Sequence, residues 1–264
     1  LLMGALNATA KDYHYTTVPG DAMKTRIYTL DNGLKVYMSV NKEKPRLQAN
    51  IAVKTGSRND PAETTGLAHY LEHLMFKGTT HFGTTDVEKE KPYLDEITRR
   101  YESYRKLIDP AQRKQAYHEI DSISQLAARY NIPNEYDKLM ASIGSEGSNA
   151  YTSNDVTCYV ENIPNNEIEN WAKIQSDRFQ NMVIRGFHTE LEAVYEEKNI
   201  TMASDDDKRW AALWKLLTPT HPYGTQTTIG EQEHLKNPSI VNIQNCFHHY
   251  YVPHNVAIVL PGDL

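Results

Sequence analysis

The stretch "TTGLAHYLEHLMFKGTT", residues 64–80, decides how the rest of the chain is read. Thr64 and Thr65 are residue types that start helices, and Gly78 is one that ends them, so a short helix is predicted between them. Leu67, Leu71, Leu74 and Met75 recur at helical spacing and form one apolar stripe. His69, Glu72 and His73 are spaced i, i+3 and i+4, so they share a different face. Two imidazoles and a carboxylate on one helix face are either solvated decoration or the beginnings of a metal site.

On the N-terminal side, "TRIYTLDNGLKVYMSV" (25–40) alternates apolar residues around Asp31-Asn32-Gly33, which reads as a β-hairpin. "LQANIAVKTGS" (47–57) reads as a third strand. On the C-terminal side, residues 86–141 are charged and helical in pattern, and Pro110 after Asp109 divides them into an αα-hairpin. Tyr93, Ile97, Tyr101 and Tyr104 mark the inner face of its first helix. "GSEGSNAYTSNDVTCYVENIP" (144–164) opens on glycine turns and then alternates as a strand. Helices are predicted over 165–182, over 188–204 with Thr189 and Glu192 as a capping box, and around Trp210–Leu217. "HPYGT" (221–225) reads as a loop, 238–251 as a last helix and 255–262 as a last strand. No βαβαβ run with glycine-rich phosphate loops is present, which argues against a dinucleotide fold. The fold class is α+β: a largely antiparallel sheet covered by helices.

The balance of 39% hydrophobic and 23% charged residues suits a globular domain, and the net charge of −6 with no basic stripe argues against nucleic acid as a partner. No apolar run is long enough to span a bilayer. Cys158 and Cys246 form no disulfide framework and no metal knuckle, and read as free buried thiols. Ala8-Thr9-Ala10 follows an apolar start and precedes Lys11. That pattern suits the tail of a leader on an exported chain, periplasmic or secreted. A frayed terminus or a cloning remnant, on a cytoplasmic chain, is the rival reading. The sequence stops straight after the last strand, at Leu264, and is expected to be a piece of something longer.

Imidazoles at i and i+4 can hold one Zn²⁺, which needs a third protein ligand and one position left for water. Zinc brings the pKa of such a water to about 7, and a carboxylate beside the second histidine is placed to take its proton. Glu72 is that base, and it returns the proton to the leaving amine. The third ligand is sought on the 188–204 helix, which offers Glu190, Glu192, Glu196 and Glu197. Glu190 and Glu197 lie two turns apart on one face. "CFHHYYVPH" (246–254) matches no standard metal spacing and reads as structural or surface histidine; Asp205–Asp207 lack a calcium loop's pattern.

H-x-x-E-H followed far downstream by "ELEAVYEE" (190–197) resembles the insulinase-like, pitrilysin (M16) metallopeptidases. The resemblance extends through "TLDNGLKVYM", "GSRND", "GSNAYTSNDVTCY", "HPYGTQTTIG" and "YYVPHNVAIVLPGD", in the family's order. It implies an M16-type catalytic domain over 23–264 behind an N-terminal segment, 1–22. In that domain His69, His73 and Glu197 are the zinc ligands and Glu72 the base. Glu190 orients the site, and Asn149, Ala150 and Thr152 meet the substrate. The adjacent Glu196 is the competitor to Glu197. The interval from His73 to Glu197 is longer than the family's usual one, and the helical hairpin at about 86–135 reads as an insertion that bears on substrate access. The activity implied is zinc-dependent endopeptidase action on peptides held as an added β-strand. A second homologous half, in the same chain or as another subunit, completes the site, so this chain alone is expected to be weakly active or inactive. Two rivals stand beside it: a non-catalytic scaffold or peptide-binding subunit, which typically lacks parts of the motif, and a domain that zinc merely stabilises.

Overall fold

A computed structural model describes residues 12–264. The Ala8–Ala10 pattern, and with it the leader reading, lies outside the described residues. Among the described residues seven strands form one sheet: β1 (Tyr15–Thr16), β2 (Arg26–Thr29), β3 (Lys35–Val40), β4 (Arg46–Val53), β5 (Ser148–Thr152), β6 (Thr157–Pro164) and β7 (Val256–Gly262). Their order is β1-β2-β3-β7-β4-β6-β5, and every pairing is antiparallel except β3 with β7. The chain is α+β, as its patterning predicts. The first hairpin turns at 31–33, where Leu30 and Leu34 exchange a backbone bond and Gly33 takes φ 86°. The last strand, β7, inserts between β3 and β4, so both ends of the described chain are stitched into one sheet.

The helices are α1 (Leu67–Leu74), α2 (Val87–Tyr104), α3 (Pro110–Ala128), α4 (Glu135–Ser142), α5 (Ile168–Gln180), α6 (Phe187–Ala203), α7 (Asp205–Leu217), α8 (Pro222–Thr225), α9 (Gln232–Leu235) and α10 (Ile240–Tyr250). Pro110 opens α3 at its first turn, with Asp109 accepting from the Gln112 N–H at 2.8 Å, so the break predicted there is a capped helix start. α2 and α3 pack as a hairpin whose Ile97, Tyr101 and Tyr104 are buried. Among the described residues no helix is long and apolar enough to cross a membrane.

Four local details differ from the sequence reading, the first being that 221–225, read as a loop, holds the short helix α8, capped by His221. α1 starts at Gly66 in the left-handed region, and neither threonine before it caps the helix. Its free N–H groups are met from a distance: the buried Asp60 accepts from Gly66 N at 2.7 Å and Ala68 N at 3.0 Å. α6 starts at Gly186, one turn before the expected box, which leaves Thr189 inside the helix facing a cleft. Asp205–Asp207 form the first turn of α7 behind the Ser204 cap, where carboxylates complement the helix dipole. α7 is the helix expected at Trp210–Leu217, but no residue of it is buried.

Both cysteines are free; Cys158 is buried and Cys246 half-buried, and burial pushes the Cys246 thiol up to about 12. The core between sheet and helices takes in Leu67, Leu71, Leu74 and Met75, the stripe read from the sequence, each at most 3% exposed. Burying that stripe turns the opposite face of α1 toward β5 and α6.

Candidate metal centre

His69, Glu72 and His73 project from α1, and Glu190 and Glu197 from α6, which packs against it. His69 Nε2 lies 3.3 Å from His73 Nε2. Glu197 Oε2 lies 3.5 Å from the first and 3.6 Å from the second. Three ligands about 2.0–2.1 Å from a tetrahedral ion stand about 3.3 Å from one another, so the observed triangle has the right size. Among the described residues this is the one group of three such side chains with atoms close enough to hold a metal ion.

The chemistry of the three atoms agrees with their spacing. Burial, then the neighbouring His73, holds the His69 imidazole down at about 4, so it is neutral and its lone pair free at neutral pH. Burial would depress His73 too. The Glu190 hydrogen bond and the charges of Glu197, Glu190 and Glu72 outweigh it and raise this imidazole. With His73 Nδ1 bonded to Glu190 Oε1 at 3.0 Å, its Nε2 faces the other two atoms. Three atoms of metal-ligating type then face one another across less than 4 Å, and a divalent cation can take the place of the proton that these carboxylates favour on His73.

One imidazole thus spans two turns of α6, with Glu190 at Nδ1 and Glu197 at Nε2. Glu190 Oε2 also pairs with Lys77 Nζ at 2.5 Å. The two hydrogen bonds and charges outweigh its burial and lower its carboxyl below the usual range. Glu196, the competitor in the sequence, sits elsewhere: it accepts from Asn199 and, with Glu192, faces a separate groove beside Arg113 and Tyr117.

Glu72 is 7% exposed, and burial raises its carboxyl despite a 2.5 Å bond from Thr152 Oγ1 and the nearby His73. Thr152 therefore touches the carboxylate of Glu72, while Asn149 and Ala150 line the cleft. That cleft holds about 680 Å³ in front of the histidines. One wall is β5, the last strand in the sheet order. The other comes from the turn that leaves the helical hairpin, with Asn131 and Asn134, and from the first turn of α4, with Glu135 and Asp137. Sequence reasoning missed this wall and Lys77. The Lys77 signal was available, since it stands four residues after His73. The wall left none, because it depends on how the hairpin packs.

An α+β domain with a His-x-x-Glu-His helix set against a glutamate-bearing helix is the class that fold and site define together. The family model for insulinase (peptidase family M16) matches residues 35–92, which include the motif. An uncharacterised zinc protease of Bacillus subtilis, YmxG, is 23% identical over 239 residues, 90% of this chain and 46% of that protein. A probable mitochondrial-processing peptidase subunit beta of Arabidopsis thaliana is 39% identical over 69 residues, 26% of this chain and 13% of its own. The crystal structure of a protease from Helicobacter pylori superposes with a TM-score of 0.66 at 22% identity, covering 91% of this chain and 46% of that one. Pitrilysin superposes at 0.64 and 18%, covering 96% and 23%. The chain is thus similar to the insulinase-like M16 peptidases, by family model over residues 35–92 and by fold over most of its length. It spans about half the length of YmxG and less of the mitochondrial subunit.

Proposed function

We propose that this chain is the zinc-binding half of an endopeptidase that cleaves peptides lying extended along β5. The observation that carries the reading is the convergence of His69, His73 and Glu197 within 3.3–3.6 Å, with Glu72 on the same turn of α1. Those three residues would hold zinc. Bound there, zinc supplies Lewis-acid polarisation of a carbonyl and brings the pKa of water to about 7.

The chain's own residues do the remaining work. Glu72 takes the proton of the attacking water and returns it to the leaving amine. Thr152 fixes its carboxylate so that one oxygen is held and the other is free to act. Glu190 keeps the His73 proton on Nδ1 and the ring aimed at the ligand position. The outer edge of β5 offers backbone donors and acceptors to an extended peptide, with Asn149 and Ala150 at the contact. Main-chain pairing of that kind tolerates many side chains. The developing oxyanion needs preorganised donors as well. A second homologous half, covalent or separate, supplies them and closes the cleft.

Glu72→Gln separates this reading from a scaffold. The variant is expected to bind zinc at wild-type stoichiometry and to lose peptide cleavage by about 10²–10⁴-fold when the second half is supplied. Unchanged cleavage would remove Glu72 as the base, and a wild-type chain inert with its partner present would favour the scaffold.

A further inference from the structure

The ligand set is split between two helices far apart in the chain, so its geometry depends on what fixes their separation. Arg185 stands one residue before Gly186, the left-handed residue from which α6 starts, and it is 1% exposed. Its Nη1 donates to the Lys77 carbonyl at 3.2 Å and the Phe82 carbonyl at 3.4 Å, and its Nη2 to the Thr79 carbonyl at 3.2 Å. All three carbonyls belong to the loop that leaves α1. The loop wraps the guanidinium closely: a Cβ at Gly78 or Gly83 would stand 2.6 or 2.8 Å from Nη1. The remaining donors close on Glu90 of α2, Nε to Oε1 at 2.6 Å and Nη2 to Oε2 at 2.8 Å. Glu90 is fully buried. One side chain therefore ties the end of α1, the start of α6 and the helical hairpin, and every N–H of its fork has a partner.

A buried ion pair is a poor device for stability alone, because desolvation offsets much of its attraction. It is a good device for geometry, since a bidentate fork with three further acceptors allows little freedom. Metal ligands borne on separate elements need such support to hold within about 0.5 Å. We propose that Arg185, charge-balanced by Glu90, is a positioning residue for the metal centre that sets the spacing of α1 and α6 and hence the spread of His69, His73 and Glu197. This rests on the reading of those three residues as metal ligands.

The test uses Co²⁺ in place of zinc, because its visible absorption reports ligand geometry directly. Arg185→Lys keeps a cation for Glu90 but cannot span it and three carbonyls at once. Glu90→Gln keeps the shape and removes the charge, and it carries the test if the lysine variant does not fold. Trp171→Phe, which unpacks the buried core on α5, serves as the stability control. Either variant of the Arg185–Glu90 pair is expected to shift the Co²⁺ bands and to weaken zinc binding by about tenfold or more. The control should lower the melting temperature with a wild-type spectrum and affinity. Wild-type spectra and affinities in both variants, with lowered melting temperatures, would make the pair purely structural and overturn the inference. Failure of the wild-type chain itself to take up Co²⁺ or Zn²⁺ would instead overturn the underlying metal reading.

Discussion

Truncating Glu190 to alanine removes two contacts at once, the 3.0 Å acceptor for His73 Nδ1–H and the 2.5 Å partner of Lys77. The Lys77 side chain is 35% exposed, so water can solvate it, and its release costs little. The His73 ring is 18% exposed and loses the group that fixes both its orientation and its tautomer. Loss of an outer partner of this kind weakens metal binding about 10–100-fold, which is about 1.4–2.7 kcal/mol. Competition titration against a chromophoric zinc chelator reads that range directly. Lys77→Met, measured beside it, should weaken binding by less, because it leaves the His73 contact intact. A Glu190→Ala dissociation constant within about twofold of wild type would show that His73 needs no partner at Nδ1. The reasoning about its orientation would then be wrong.

Other changes probe the frame. Arg178 is fully buried against Phe76, Tyr136, Tyr159 and Phe179, with Glu161 3.9 Å away. Arg178→Met removes the balancing charge of that buried carboxylate and is expected to cost about 3–5 kcal/mol by denaturant titration; a loss under about 1 kcal/mol would mean that Tyr136, Trp171 and Gln175, which donate to Glu161, already satisfy it. Asp60 accepts the free N–H groups of α1, yet burial pushes its carboxyl up to about 7, above its usual 3.8. A folded pKa above the unfolded one gives stability that is whole below the unfolded value and lost as pH rises through the folded one. The wild type should therefore lose stability relative to Asp60→Asn between about pH 4 and 7, and a flat difference over that window would contradict the assignment. No residue of α7 is buried, and Leu216 and Leu217 are 79% and 65% exposed. Leu216→Lys with Leu217→Lys should leave the chain's unfolding free energy within about 0.5 kcal/mol of wild type, and a larger loss would place this helix in the core.

The parts of the fold legible in the sequence are those written in local periodicity. The apolar stripe of α1, the first hairpin and the Asp109-Pro110 helix start each depend on residues a few positions apart, and each stands where its pattern puts it. The convergence of the candidate residues was legible through the i, i+4 histidines and the two-turn spacing of Glu190 and Glu197, because α-helix geometry converts those spacings into shared faces. Contacts between distant segments were not. Asp60 replaces Thr64 and Thr65 as the source of α1's N-terminal acceptors because the chain folds back on itself, which no propensity records. Arg185 and Glu90 lie in unrelated stretches, and either alone reads as an ordinary solvated charge. The apolar run of α7 is the converse case: its pattern predicts a buried face, yet Trp214 meets Tyr223 edge-on and no residue of the helix is buried.

The central claim is that two imidazoles of α1 and one carboxylate of α6 share a single divalent ion. X-ray absorption on the zinc-loaded chain, with metal analysis of His69→Ala, His73→Ala and Glu197→Ala, tests it most directly. The account predicts one zinc per chain, held by two imidazole nitrogens and oxygen ligands at about 2.0–2.2 Å, and loss of that zinc in each variant. Stoichiometric zinc retained by the His69→Ala/His73→Ala double variant, or an absorption spectrum without imidazole scattering, would contradict it.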